Sequence, residues 1–275
     1  MKIQYTISLF LALLLPACGA LTLPPPEPQK PIVLATIDGK PVLMSNDPIL
    51  KVYLGLERAA EASQGMKLNQ DAFKADVERD CKQIAQMKFG PWYLARQGWD
   101  TDAEYQKKLK EVNASIEAGL ANFQACIKSG RTDGDCDQRL LDYYKSFGAH
   151  AKEIQTLEGI SIIAARVIKK KLIKPIDVKQ FYLVFQQDVD RYAGYFSKEE
   201  RARLFKDGES FKPFEKLSER ALDAVKNGAE FAVRSKADED YRALEEQFIK
   251  LGNEKEMGVW LQGLYLEHVG GAKTK

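Results

Sequence analysis

The chain has 275 residues, with 41 Lys and Arg against 39 Asp and Glu and 45% hydrophobic residues, long enough for one large domain or two smaller ones with a real core. Lys2 is the one charge before Cys18, so the roughly 258 residues from Cys18 onward carry 40 basic against 39 acidic groups, net +1; domains that bind nucleic acid carry a clear basic excess, which argues against that partner. Two histidines, His150 and His268, and four cysteines without a Cys-x-x-Cys pair argue against a metal site or a haem cofactor, and no cofactor is expected.

The first seventeen residues read as an export signal. Lys2 gives a short positive region, residues 7–15 form an apolar run, and Leu15-Pro16-Ala17-Cys18 stands where a cleavage site belongs. The run is too short to span a bilayer, which takes about 20 apolar residues. Leu15-Pro16-Ala17-Cys18-Gly19 resembles the lipobox of bacterial lipoproteins. That resemblance implies cleavage before Cys18, acylation of that cysteine, and firm membrane attachment through more than one chain. Gly19 rather than Asp after the cysteine resembles the outer-membrane class, so the expected location is the outer membrane, facing the periplasm. Residues 18–31 contain Pro24, Pro25, Pro26, Pro28 and Pro31 and read as a polyproline tether.

Residues 32–43 are the convincing β segment at the start. Ile32-Val33-Leu34-Ala35-Thr36-Ile37 is β-rich, Asp38-Gly39 is a hairpin turn, and Lys40-Pro41-Val42-Leu43 returns. Asp47-Pro48 then starts a helix expected to reach about Ala62 and to close at Gly65. A second helix runs from about Asn69 with Phe73, Val77, Cys81 and Ile84 on one face, and Gly90-Pro91 is expected to kink or stop it before Gly98. Cys81 on that face reads as a small buried hydrophobe.

Thr101 to Glu104 has the spacing of a capping box for a third helix, in which Tyr105, Leu109, Val112, Ile116, Leu120, Phe123 and Ile127 form one apolar stripe. Cys126 and Cys136 flank a polar, glycine-bearing loop, and an exported compartment permits disulfides, so a bridge between them is the first choice. The helical pattern resumes from Asp137 with Leu140, Leu141, Tyr144 and Phe147, then over residues 152–172. Lys174-Pro175 breaks it, and Asp177 starts a short capped helix carrying Phe181 and Tyr182.

Taken in order, these stretches resemble the N-terminal chaperone region of the SurA/PrsA-type, parvulin-linked foldases. The resemblance rests on Val33 to Val42, on Ala95-Arg96-Gln97-Gly98-Trp99-Asp100 with Asp102, Glu104 and Tyr105, on Ile163-Ala164-Ala165-Arg166, and on Lys174-Pro175-Ile176-Asp177 with Tyr182. It covers about Pro31 to Gln187. The insertion around Cys126 to Cys136 and the Gly90-Pro91 step depart from the family pattern. The resemblance implies a mostly α fold: a SurA N-terminal-like helical chaperone module with a short β-hairpin over residues 32–187, then a smaller α or α+β tail domain over 188–275. It further implies a membrane-anchored chaperone that holds unfolded or extended exported polypeptides during export or envelope assembly. Met66, Met87, Phe89, Trp92, Tyr93 and Trp99 are adaptable side chains suited to varied clients. Met87, Phe89, Trp92 and Tyr93 are the expected contact surface, because a break at Gly90-Pro91 would turn them outward.

In this family a parvulin domain usually follows. The tail lacks the opening histidine strand and the paired histidine of active parvulins, although Ala224 to Ala232 resembles a parvulin helix end and Met257-Gly258-Val259-Trp260 a parvulin turn. The tail therefore reads as a degenerate or replaced parvulin with little or no isomerase activity. The alternative is an active peptidyl-prolyl cis-trans isomerase. It requires His268 in a cleft with an apolar proline pocket drawn from Met257, Phe248 or Phe231; otherwise His268 is a surface or strand residue. Another alternative, from a different class, is a structural lipoprotein dedicated to one surface assembly.

Overall fold

The computed structural model describes residues 30–55, 69–131, 136 and 138–271, with the backbone alone for 138–140, 143 and 268–271. β1 (Val33–Ile37) and β2 (Lys40–Met44) form the expected antiparallel hairpin. Its turn holds Asp38 at φ 52° and Gly39 at φ 74°, the pair of left-handed positions that a two-residue hairpin turn demands and that Asp-Gly adopts most easily. Leu34, Ala35, Ile37 and Leu43 are buried beneath it.

Helix α1, described over residues 48–55, starts at Asp47, whose carboxylate accepts from the Ile49 amide at 2.9 Å. Its expected end near Ala62 and Gly65 lies outside the described residues. α2 (Gln70–Gln97) is capped by Asn69, which accepts from the Ala72 amide, and closes at Gly98 with φ 67°. It continues through Gly90-Pro91 as one helix, which corrects the expectation that it stops there. The reason is tertiary: a Cβ on Gly90 would stand 2.9 Å from the Cβ of Ala164, so the glycine is where a crossing helix comes closest. That packing outweighs the one hydrogen bond Pro91 cannot donate.

α3 (Ala103–Ser129) is capped by Asp102 rather than Thr101, the Asp102 carboxylate accepting from the amides of Glu104 and Tyr105. Its stripe is only partly covered. Tyr105 and Cys126 are buried, Leu109, Val112, Leu120 and Phe123 lean on the core, and Ile127 is exposed. α4 (Gln138–Phe147), a 3-10 turn at Gly148–His150 and α5 (Ala151–Leu172) follow. Next come α6 (Val178–Gln187), α7 (Val189–Ala193), α8 (Lys198–Phe205), and the two-residue strands β3 (Lys206–Asp207) and β4 (Ser210–Phe211). α9 (Glu219–Phe248), β5 (Ile249–Leu251) and α10 (Glu254–Gly271) end the described chain. The fold is thus mostly helical with a small antiparallel sheet near the N-terminus.

β5 is the element that the sequence pattern misses. It pairs antiparallel with β1, Ala35 opposite Leu251 and Ile37 opposite Ile249, giving a sheet of order β2-β1-β5. The start and the end of the described chain therefore close on one another, and the packing does not divide at residue 187. One core gathers β1, β2, α1, α2 and α5 and takes in Tyr241, Ile249, Met257 and Leu261 from the tail. A smaller core holds Phe181, Phe185, Phe205, Ala221, Val225 and Ala229. Residues 178–232 are thus an insert between two parts of the larger core, and from Ile32 on the chain is one unit. α9, about 45 Å long at 1.5 Å per residue, contributes its first half to the small core and its last turns to the large one.

Candidate functional site: an apolar groove between the two cores

Leu172 ends α5 because Pro175 forces the residue before it out of the helical region. Ile173 is extended at φ −60°, ψ 120°, and the chain re-enters helix only where the Asp177 carboxylate accepts from the amides of Lys179 at 2.8 Å and Gln180 at 3.1 Å. Residues 174–176 lie between in irregular conformation and make no backbone hydrogen bond among the described residues. Facing them is the middle of α9. Lys226, Ala229, Glu230, Val233 and Arg234 recur at the spacing of a single helix face, and with Ile173, Lys174, Pro175, Ile176 and Val178 they line an open groove of about 490 Å³.

The groove has an apolar floor and a charged rim. Ile173 and Ile176 remain 40% and 41% exposed, although isoleucine is among the most consistently buried side chains. On the rim, Lys226 pairs with Asp223 at 3.5 Å and Arg234 with Glu230 at 3.4 Å, both pairs well exposed and within α9. Such surface pairs contribute little and exchange readily. Lys174 makes no ion pair among the described residues.

The residues expected from the sequence to contact clients sit elsewhere. Met87, Phe89 and Tyr93 are buried in the large core, Phe89 completely. Its ring lies 5.9 Å from Trp92, 5.5 Å from Tyr93, 5.8 Å from Tyr241 and 6.4 Å from Phe248. Trp92 is partly buried under the Arg96 guanidinium, 5.1 Å from its ring, and Trp99 packs on Tyr93. The expected outward presentation required a break in α2. In the unbroken helix these side chains face α9 and the sheet. Met66 lies outside the described residues, as do Cys18 and the remainder of the signal and most of the tether.

Cys126 and Cys136 are bonded, with Cα atoms 5.5 Å apart, and with Leu141 they form a small apolar cluster. Cys81 is buried and free, and burial pushes its thiol up to about 12. The backbone of residue 268 lies within α10, not in a strand; the His268 side chain lies outside the described residues. The three residues offered for a proline pocket are not all brought together. Met257 is buried and Phe248 half-buried in the large core, whereas Phe231 is exposed beside Tyr192, about 25 Å along α9 from Phe248. The parvulin-like stretch 224–232 runs inside α9, and 257–260 inside α10, so neither marks a helix end or a turn.

A second hollow, about 410 Å³, lies between α2 and the end of α9, lined by Lys82, Gln86, Arg242, Glu245, Glu246 and β5. Gln86 Nε2 donates to Glu245 Oε2 at 3.2 Å. Burial pushes the Glu245 carboxyl above its ordinary range, against hydrogen bonds from Tyr241 and Gln86, and burial pushes the Tyr241 hydroxyl up as well. This is a polar tie across a helix interface. Among the described residues no group of three or more His, Cys, Asp or Glu could hold a metal ion, and no helix is long and apolar enough to cross a membrane.

The chain matches no family model, and no curated protein or solved structure shows a significant similarity to it.

Proposed function

We propose that this protein is an exported, lipid-anchored chaperone-like factor that holds extended or unfolded polypeptide segments in the groove between residues 173–178 and α9, without prolyl isomerase chemistry. The groove carries the reading: two isoleucines kept exposed beside a main-chain segment with free hydrogen-bonding groups form a surface suited to an extended chain. The lipobox-like Leu15 to Gly19 supports export and anchoring at Cys18, with the outer membrane, periplasmic side, as the favoured location. The SurA/PrsA-like order of motifs supports the class. The reading of residues 188–275 as a degenerate or replaced, non-catalytic parvulin is supported by the separation of exposed Phe231 from Met257 and Phe248 in the large core and by the uninterrupted helix through 224–232.

Two assays on the protein lacking residues 1–18 test this: suppression of aggregation of an unfolded outer-membrane protein, and protease-coupled prolyl isomerisation. Suppression without isomerisation is the expected result. Isomerisation abolished by His268→Ala would replace the proposal with an active isomerase. Failure in both assays, with recovery of a single tight partner from cells, would favour a dedicated structural lipoprotein.

A further inference from the structure

Granting that the groove is a polypeptide site, its rim carries information about which polypeptides it takes. Of the four charged residues lining it, Lys174, Lys226 and Arg234 are basic and Glu230 is acidic, a local excess of two positive charges in a chain whose overall net charge is +2 over 275 residues. Lys174 has no ion-pair partner among the described residues, and Lys226 and Arg234 are held by Asp223 and by Glu230, itself a lining residue, in exposed pairs that exchange readily. The floor between them, Ile173, Pro175, Ile176, Val178, Ala229 and Val233, offers no polar side chain. Residues 173–177 lie between α5 and α6 and span at most about 17 Å, room for about four or five residues of a bound chain, and the amides of Lys174 and Ile176 make no backbone hydrogen bond among the described residues.

We propose that the groove selects extended apolar segments flanked by carboxylates over the same segments flanked by lysine or arginine. Each rim contact, being exposed, contributes about a two- to fivefold preference, so two or three together give about tenfold at low salt. Because the rim is open to solvent, that preference is screened as the Debye length falls from about 10 Å to a few ångströms.

The test uses the protein lacking residues 1–18 and three fluorescent decapeptides with one shared apolar core, flanked by aspartates, by lysines or by neutral serines, read by anisotropy. The aspartate peptide is expected to bind about tenfold more tightly than the lysine peptide at low salt, and the gap is expected to close at molar salt. Lys174→Glu with Lys226→Glu is expected to reverse the order. Equal affinities at low salt, or an order that survives the double reversal, overturn the charge selection. Val233→Asp separates the two claims. If it abolishes binding of the serine peptide while no flank preference exists, the groove is the site and only the selectivity fails. If it leaves all binding and aggregation suppression intact, the groove itself is excluded. A protein that binds none of the three peptides overturns both. Unchanged circular-dichroism melts of each variant confirm that folding is not what is being read.

Discussion

A Cβ placed on Gly252 would stand 2.0 Å from the carbonyl oxygen of Val33. This contact sits where β5 returns to β1: the Gly252 amide donates to the Leu34 carbonyl at 2.9 Å and the Asp38 amide to the Phe248 carbonyl at 3.0 Å, closing β5 onto β1 at both ends. The obstacle is backbone, which cannot swing aside as a flexible side chain could, so any other residue must push β5 off the sheet.

Gly252→Ala is therefore expected to destabilise by about 1–3 kcal/mol, the range for forcing extra carbon into a packed site, read as a lower urea midpoint with unchanged m-value. Gly258→Ala is the matched control. A Cβ there meets nothing within 4 Å, and inside α10 alanine is expected to be neutral or to stabilise by up to about 1 kcal/mol. Equal effects of the two substitutions would mean that the β5 closure does not bear on stability.

What was legible in the sequence is what is local. The Asp38-Gly39 turn, the caps at Asp47, Asn69 and Asp177, and the Cys126–Cys136 bridge each depend on a few neighbouring residues. What was not legible depends on distant partners. Ile249-Lys250-Leu251 follows a 30-residue helix with no strand signal of its own and becomes β5 only because β1 lies beside it. Gly90-Pro91 carries local breaker chemistry that the approach of α5 overrides. The groove was hidden for the same reason. Lys174-Pro175 was readable as a break, but that α9 crosses opposite it is a fact of packing between the two cores.

The aromatic cluster that the sequence pattern places at the surface makes its own prediction. Phe89 is wholly buried and touches four other rings, so Phe89→Ala is expected to cost about 3–5 kcal/mol of unfolding free energy, the usual penalty for emptying a buried aromatic site. Ile176→Ser, at a half-exposed position on the groove, is expected to change stability by no more than about 0.5 kcal/mol. A surface-like response at Phe89 in denaturant unfolding would place that face at the surface instead.

The three cysteines after Cys18 should separate chemically. In the folded, non-reduced protein Cys126 and Cys136 are bonded and Cys81 is buried with its thiol pushed up to about 12, so alkylation at pH 8 is expected to label none of them until denaturant is added, and then Cys81 alone. Reduction of the bridge, or Cys136→Ser, is expected to cost roughly 2–3 kcal/mol from the freed unfolded chain. Mass mapping of a non-reduced digest checks the pairing. A peptide joining Cys81 to either partner would require α2 and α3 to pack differently from the arrangement described.

Glu245 gives the last prediction. Its carboxyl is raised chiefly by burial between α2 and α9, with the hydrogen bonds from Tyr241 and Gln86 and the charges of Lys169 and Lys82 acting the other way. A carboxyl whose folded value is raised holds its proton longer in the native state than in the unfolded one. Its contribution is thus fully present below the ordinary glutamate range, near 4.5, and is lost as pH rises through the folded value. Above its folded value the group is ionised in a place that disfavours charge. Gln at 245 keeps an acceptor for Tyr241 and removes that charge, so Glu245→Gln is expected to melt at the same or a higher temperature than the parent at pH 7 and to lose any advantage near pH 4. Melting curves at the two pH values decide the matter: a variant clearly less stable at pH 7 but not at pH 4 would show that the attraction of Lys169 and Lys82, rather than burial, dominates at this carboxylate.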